Sequence, residues 1–187
     1  MDFIELVKKN RSYRRFYQEK NIDKSTLDYL IGLARYIPSA RNLQPLKYKA
    51  VYEPALCDEV FKTLAWAGYL TDGAPKKGER PSAYIVICND RNISPQSTWD
   101  QGIAAQTIML GATDKGLGGC IIASIKKAAI SQLLSLPESL EPVFVLALGY
   151  PKEKVIITDV YDGNIKYYRD SDGTHYVPKR PEAEEHI

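Results

Sequence analysis

Apolar residues recur at Leu27, Leu30, Ile31 and Ala34, the spacing of one helix face, with Asp23 in front as an N-cap and Pro38 behind as a stop. The stretch LKYKAVY at 46–52 alternates with period two and predicts a half-buried strand. Positions 83–89, AYIVICN, are apolar almost without a break, as in a central strand covered on both faces. Residues 97–116 carry small or apolar side chains on most sides, which predicts a helix buried nearly all round. Shorter patterns predict helices over 2–9, over 54–66 behind Pro54, and over 126–136. GLGGCIIASI at 116–125 reads as a Gly-rich turn into a strand, and EPVFVLALGYP at 141–151 as a second buried strand. Beyond 155, Asp162-Gly163 and Asp172-Gly173 are turn signals between β-rich runs and predict a hairpin or meander before a polar tail.

Helical and strand patterns alternate with no linker, repeat or low-complexity tract, so one layered domain over 1–187 is expected, α/β or α+β by pattern alone. A chain of 187 residues and 21.1 kDa can bury a real core, and 44% hydrophobic with 26% charged residues is ordinary globular composition. No apolar run approaches the ~20 residues of a bilayer span, and the first thirty residues are studded with charge. We therefore expect neither export nor membrane insertion. Cys57, Cys88 and Cys120 are odd in number and set in apolar surroundings, which favours a reducing, cytoplasmic setting over a disulfide framework or a metal site. A net charge of +2 provides no broad basic face for nucleic acid.

His175 and His186 are the only histidines, so Ser-His, Cys-His and His-rich metal chemistries have little to work with. Cys120 with His175 is the one nucleophile pairing to weigh, and a buried cysteine is more often an inert small hydrophobe. If the chain performs chemistry, a cofactor brings it. The stretch NRSYRRF concentrates Arg11, Arg14 and Arg15 around Ser12, a donor set suited to a phosphate or, alternatively, a solvated basic loop. The loop IPSARNLQPLKY at 37–48 offers amides and hydroxyls that can read the edge of a planar polar ring or simply form a turn. Gly116, Gly118 and Gly119 follow a helix and precede a strand, the reverse of a dinucleotide-binding fingerprint. Trp66 and Trp99 read as packing residues, Tyr167 and Tyr168 as strand residues or stacking partners, and KKGER at 76–80 as a solvated loop or a site entrance.

Taken in order, Arg11, Ser12, Arg14 and Phe16, then Pro38-Ser39-Ala40-Arg41-Asn42-Leu43-Gln44-Pro45, resemble the two motifs of the FMN-dependent nitroreductase family. The segments GIAAQTIMLGATDKGLGG, CIIAS and LALGYPKE extend the resemblance over nearly the whole chain, most weakly at 155–177. The resemblance implies an α+β, three-layer α/β/α domain with a central mixed, mainly antiparallel sheet, assembled as a homodimer with flavin sites at the interface. It implies FMN as cofactor, NADH or NADPH as co-substrate, and ping-pong hydride transfer to a nitro, quinone or other small oxidised acceptor. The alternative is a flavin-binding or anion-binding protein without turnover.

Residue by residue, the resemblance assigns Arg11 and Ser12 to the phosphate or ribityl chain, and Arg14 to the same cofactor towards the pyrimidine edge. Pro38, Ser39, Ala40 and Asn42 would serve the neighbouring subunit's flavin. Ile121, Ile122, Ala123 and Ser124 match the strand end against the ring, and Lys179 and Arg180 the late basic pair that returns to the phosphate. It assigns no catalytic side chain and no metal. The chain departs from the family pattern at Asn10, where relatives often carry Arg, and Arg15 would point away from Arg14 in an extended segment.

Overall fold

The unbroken apolar run forms β2 (Ala83–Asp90), which lies inside a four-stranded sheet with β1 (Leu46–Val51), β4 (Leu140–Gly149) and β3 (Gly118–Ile122) in the order β1-β2-β4-β3. The computed structural model describes residues 2–184; the last three residues of the expected polar tail lie outside the described residues. Because strand side chains alternate, Ala83, Ile85 and Ile87 of β2 enter one core while Tyr84, Val86 and Cys88 enter another. The first core is closed by Leu27 and Leu30 of α2 (Lys24–Leu33) and by Ala104, Ala105, Ile108 and Ala112 of α4 (Thr98–Asp114). The second is closed by Cys57 and Val60 of α3 (Pro54–Phe61) and Ile130 of α5 (Lys127–Leu133). This is the expected α+β domain in three layers, helix, sheet and helix. Burying each large apolar side chain contributes about 1.5–3 kcal/mol, so these two cores carry most of the stability.

All three ladders of this sheet are antiparallel. Its parallel component among the described residues is a bridge between Ser12 and Gly119, which lays the segment after α1 (Phe3–Lys9) along the edge of β3.

Three sequence expectations change. The helix predicted over 54–66 ends at Phe61, because Leu64 bridges Ile125 and the Ala65 N–H donates to the Ser124 carbonyl at 2.9 Å. Tertiary pairing there outweighs helical propensity. Helix α4 is not buried all round: Trp99, Gly102, Ile103 and Gln106, spaced as one face, are exposed in the chain, Trp99 to 74%. The C-terminal segment is not one hairpin. It is a separate sheet, β5 (Val155–Asp159), β7 (His175–Lys179) and β6 (Tyr168–Arg169), with β5 parallel and β6 antiparallel to β7. Asp172-Gly173 does close the β6–β7 turn, where the Asp170 carboxylate accepts from the N–H groups of Asp172 at 3.0 Å and Thr174 at 2.8 Å. Asp162-Gly163 instead makes a local turn with a Tyr161–Asn164 bridge.

Candidate functional site

The arginine stretch is held against the sheet edge by isolated bridges, Ser12 to Gly119 and Phe16 to Pro151. The Tyr13 N–H donates to the Gly119 carbonyl at 2.8 Å, and Phe16 is fully buried with its N–H donating to the Glu79 carbonyl at 2.9 Å. Glycine is required under this segment at Gly118, where a Cβ would sit 2.6 Å from the Tyr13 ring, and Gly119 has no room either, since its Cβ would sit 2.3 Å from the Ala147 carbonyl oxygen. Gly116, at φ +76°, ends α4 in a Schellman motif: the Leu117 N–H donates to Ala112 at 2.9 Å and the Gly116 N–H to Thr113 at 3.0 Å. That turn starts β3 at the position where it receives Ser12.

Alongside runs a cleft of about 310 Å³, lined by Asn10, Arg11, Ser12 and Arg14 on one side and by His175, Val177 and Lys179 on the other. Alternation along β7 explains the second wall: residues 175, 177 and 179 share a face. Met109, Ile121 and Gly119 give it an apolar floor, and Gln106 and Tyr167 complete the lining. The Arg11 guanidinium also satisfies the end of α1, donating to the carbonyls of Asn10 at 2.6 Å and Val7 at 3.0 Å. Arg14 stacks on Tyr167, its guanidinium carbon 4.9 Å from the ring centroid.

A second cavity of about 110 Å³ shares Arg14 and Ile121 with the cleft and adds Ile122, Ala123 and Ser124, opposite Ala65, Trp66 and Ala67. Cys120 lines it too, with its thiol pushed up by burial, which makes it a poor nucleophile.

Beneath the cleft Glu153 acts as a hub. Its Oε1 accepts from the backbone N–H groups of Arg14 and of Arg15, the latter at 3.1 Å, and its Oε2 pairs with Arg169 at 2.8 Å. Arg169 also meets Asp72 at 3.0 Å, and Asp72 pairs with Arg15. His175 is fully buried beside this hub; burial lowers its pKa, Glu153 opposes that, and the positive charges of Arg14, Arg169 and Arg15 lower it further.

Pro38, Ser39, Ala40 and Asn42 lie apart from the cleft. Their loop is built on buried Asp100 at the start of α4: the Ser39 hydroxyl and the Ala40 N–H, at 2.9 Å, both donate to its carboxylate. The Gln44 N–H donates to the Ser39 hydroxyl at 2.8 Å, and Arg41, Asn42 and Gln44 take positive φ. Pro38, Ala40 and Asn42 are exposed.

Residues 7–150 match the nitroreductase family. The chain belongs to that family. Among its relatives, a Methanothermobacter thermautotrophicus protein provisionally named NADH dehydrogenase/NAD(P)H nitroreductase is 29% identical, over 87% of this chain and 84% of its own. The crystal structure of a nitroreductase family protein from Clostridium novyi NT is 29% identical and superposes with a TM-score of 0.68, covering 81% of this chain and 86% of that one. The NADPH:FMN oxidoreductase of Vibrio harveyi, solved with NAD+, is 26% identical with a TM-score of 0.62, covering 80% of this chain and 68% of that one.

Within this nitroreductase-family chain, the cleft gathers Arg11, Ser12, Arg14, Ile121 and Lys179, and the adjoining cavity gathers Ile121 to Ser124. Arg180, just past the end of β7, does not line the cleft and instead meets Glu184 at 3.4 Å. Arg15 faces away, towards Asp72 and Glu79. Sequence reasoning gave no site role to Gln106, Met109 and Val177, raised Tyr167 as a stacking partner, and weighed His175 only with Cys120, so it did not bring His175 and Val177 to this cleft. The last two were within reach, because a strand that presents Lys179 to a site also presents the residues two and four before it.

Proposed function

We propose that the cleft binds FMN and that the protein is an NAD(P)H-dependent oxidoreductase acting on a small oxidised acceptor such as a nitroaromatic or a quinone. The observation that carries this reading is the convergence of Arg11, Ser12, Arg14 and Lys179 on one cleft floored by Met109 and Ile121. These residues fit the cofactor: cationic donors at the ends suit a phosphate, and an apolar floor suits a planar ring. The volume of about 310 Å³, extended by its neighbour, falls within the roughly 300–1,000 Å³ of small-molecule sites. Family membership supports the same reading, as do the names of the relatives in Methanothermobacter and Vibrio.

In this reading Arg11, Ser12 and Lys179 hold the phosphate, with hydrogen bonds to a charged group worth about 1.5–3 kcal/mol each. Arg14, braced on Tyr167 and by its backbone on Glu153, presents positive charge where the ring's pyrimidine edge would gain negative charge. The segment Ile121 to Ser124, which lines the adjoining cavity, would hold the ring. Bound FMN would supply the hydride chemistry that links NADH or NADPH to the acceptor in alternating half-reactions.

The site is shared between two copies of the chain in this proposal. Support comes from α4, whose exposed face carries Trp99 and Ile103 and continues to Gln106 in the cleft, beside α1 with exposed Phe3, Ile4 and Val7. An apolar helix face that runs into a half-open site is what a two-fold interface covers. Ser39 and Asn42, remote from their own cleft, then reach the partner's. The test is the absorbance of the purified protein and the flavin released on denaturation. FMN, retained in proportion to the dimer, is expected; a colourless protein that does not take up FMN would overturn the reading.

A further inference from the structure

Both ring nitrogens of His175 are without a hydrogen-bond partner among the described residues, although the side chain is completely buried and lines the cleft. Buried polar atoms are satisfied in nearly all folded proteins, so an orphaned imidazole at a cavity wall marks a partner that arrives from elsewhere. Its Nδ1 stands 3.8 Å from the Glu153 carboxylate, too far for a hydrogen bond but close enough to form one with a small shift. It shares the cleft-facing side of β7 with Lys179 and opens on the same space as Arg11 and Ser12.

Burial first, and then the charges around the ring, set its present state. Arg14 and Arg15 come from the N-terminal segment, Arg169 from β6, and the opposing Glu153 from the turn after β4. Lys179 lies on β7 itself, and the Tyr167 ring meets the imidazole edge-on at 5.5 Å. Burial, joined by these positive groups, outweighs Glu153, so the free cleft favours a neutral ring. A phosphate dianion bound in the cleft that Arg11 and Lys179 line would shift that balance towards the protonated ring.

We propose that His175 is a ligand-binding residue of the cleft: when a phosphate-bearing ligand enters, the imidazole takes one proton from solvent and hydrogen-bonds to Glu153 and to the anion. No bond is made or broken beyond that proton transfer. The inference rests on the flavin reading above and adds to it that binding is proton-coupled and selects the phosphorylated flavin.

The chain has only two histidines, so 15N spectra of histidine-labelled protein resolve the ring of His175, with His186 as internal reference. At pH 7 we expect a neutral His175 in the flavin-free protein, an imidazolium with saturating FMN, and a neutral ring with riboflavin, which lacks the phosphate. Calorimetry of FMN binding in two buffers of different ionisation enthalpy should show uptake of up to one proton in the wild type and none in His175→Gln. The variant should bind FMN about tenfold more weakly and riboflavin unchanged. The imidazole spectrum is read on wild-type protein, so the test survives a variant that folds poorly. FMN bound with His175 still neutral overturns this inference and leaves the proposed function standing. If neither FMN nor inorganic phosphate binds, both fall.

Discussion

The two sheets of this protein are held together by opposite means. In the four-stranded sheet, β2 and β4 place Ile85, Val86, Leu146 and Ala147 in two dry cores with zero exposure. The C-terminal sheet is attached through ions: Glu153 with 1% of its side chain exposed, Arg169 with 7%, and Asp72 at the rim. Apolar burial tolerates imprecise geometry, whereas a buried ion pair is stabilising only while every partner is in place. The difference teaches where the site can be adjusted. One wall of the cleft, the segment of Ser12, pairs with the rigid sheet at Gly119 and meets the Glu153 network through the Arg14 and Arg15 backbone; the other, the face of β7, hangs on that charge network, which ligand and pH can both reach.

The sharpest way to break the comparison is at Glu153. Replacing it with Ala removes the buried partner of Arg169, leaving it only Asp72 at the rim, and unpairs two backbone N–H groups at once, a loss of up to about 3–5 kcal/mol for a buried pair deprived of one partner. Hydrogen exchange should show protection lost across β5 to β7 while β2 and β4 keep theirs. Leu146→Ala, a core deletion of about 2–5 kcal/mol, should lower protection in both sheets together, because the C-terminal sheet has no comparable core of its own. A uniform loss in both variants would mean that the two sheets form one cooperative unit.

The same contrast governs what was legible in the sequence. Alternation at 46–52 and the apolar run at 83–89 report burial against apolar neighbours, and that kind of packing writes a periodic pattern into the residues themselves. Asp23, a local cap whose carboxylate accepts the Thr26 N–H at 2.6 Å, was readable for the same reason. The parallel pairing of β5 with β7 was not, since it joins residues twenty apart and depends on Glu153 and Arg169, which look like ordinary surface charges along the chain. Family resemblance brought Arg11, Ser12 and Lys179 to one site, but only β7 geometry separates Lys179 from Arg180. The bare face of α4 is a case where the pattern was read correctly as apolar and the single chain does not bury it.

A smaller effect sharpens the comparison on the rigid wall. Arg11→Ala should weaken FMN binding by about 1.5–3 kcal/mol, with riboflavin much less affected. Arg15→Ala is its control: Arg15 serves Asp72 and Glu79, so it should loosen the C-terminal sheet with a lesser effect on the phosphate. Titrating both flavins into each variant, with circular dichroism to check folding, separates the roles. Equal weakening of the two flavins by Arg11→Ala would move that residue from the phosphate to the ring.

The smallest expected effect is the pH dependence of the ion-held sheet. Burial, joined by the arginines, lowers the pKa of His175 below the ordinary 6.5, so the unfolded chain takes up a proton more readily than the folded one. The stability tied to the neutral ring is therefore complete above about pH 6.5 and is lost as pH falls below that value, at no more than about 1.4 kcal/mol per pH unit for one proton. At Asp72 burial pushes the carboxyl up, but Arg169 and Arg15 outweigh it and hold the pKa below 3.8. That contribution is present above pH 3.8 and disappears only as pH falls through the lowered value. Between pH 7 and 5, then, His175 is the group that loosens the C-terminal sheet. The dry cores have no such term: burial raises Cys88 to about 11 and Cys57 to about 12, so they stay neutral throughout that range. Hydrogen exchange at pH 7, 6 and 5 should show β5 to β7 losing protection relative to β2 and β4, and His175→Gln should flatten the slope. Saturating FMN should abolish or slightly reverse the loss, because a ring that already carries its proton in the complex leaves only the unfolded chain to take one up as pH falls through about 6.5.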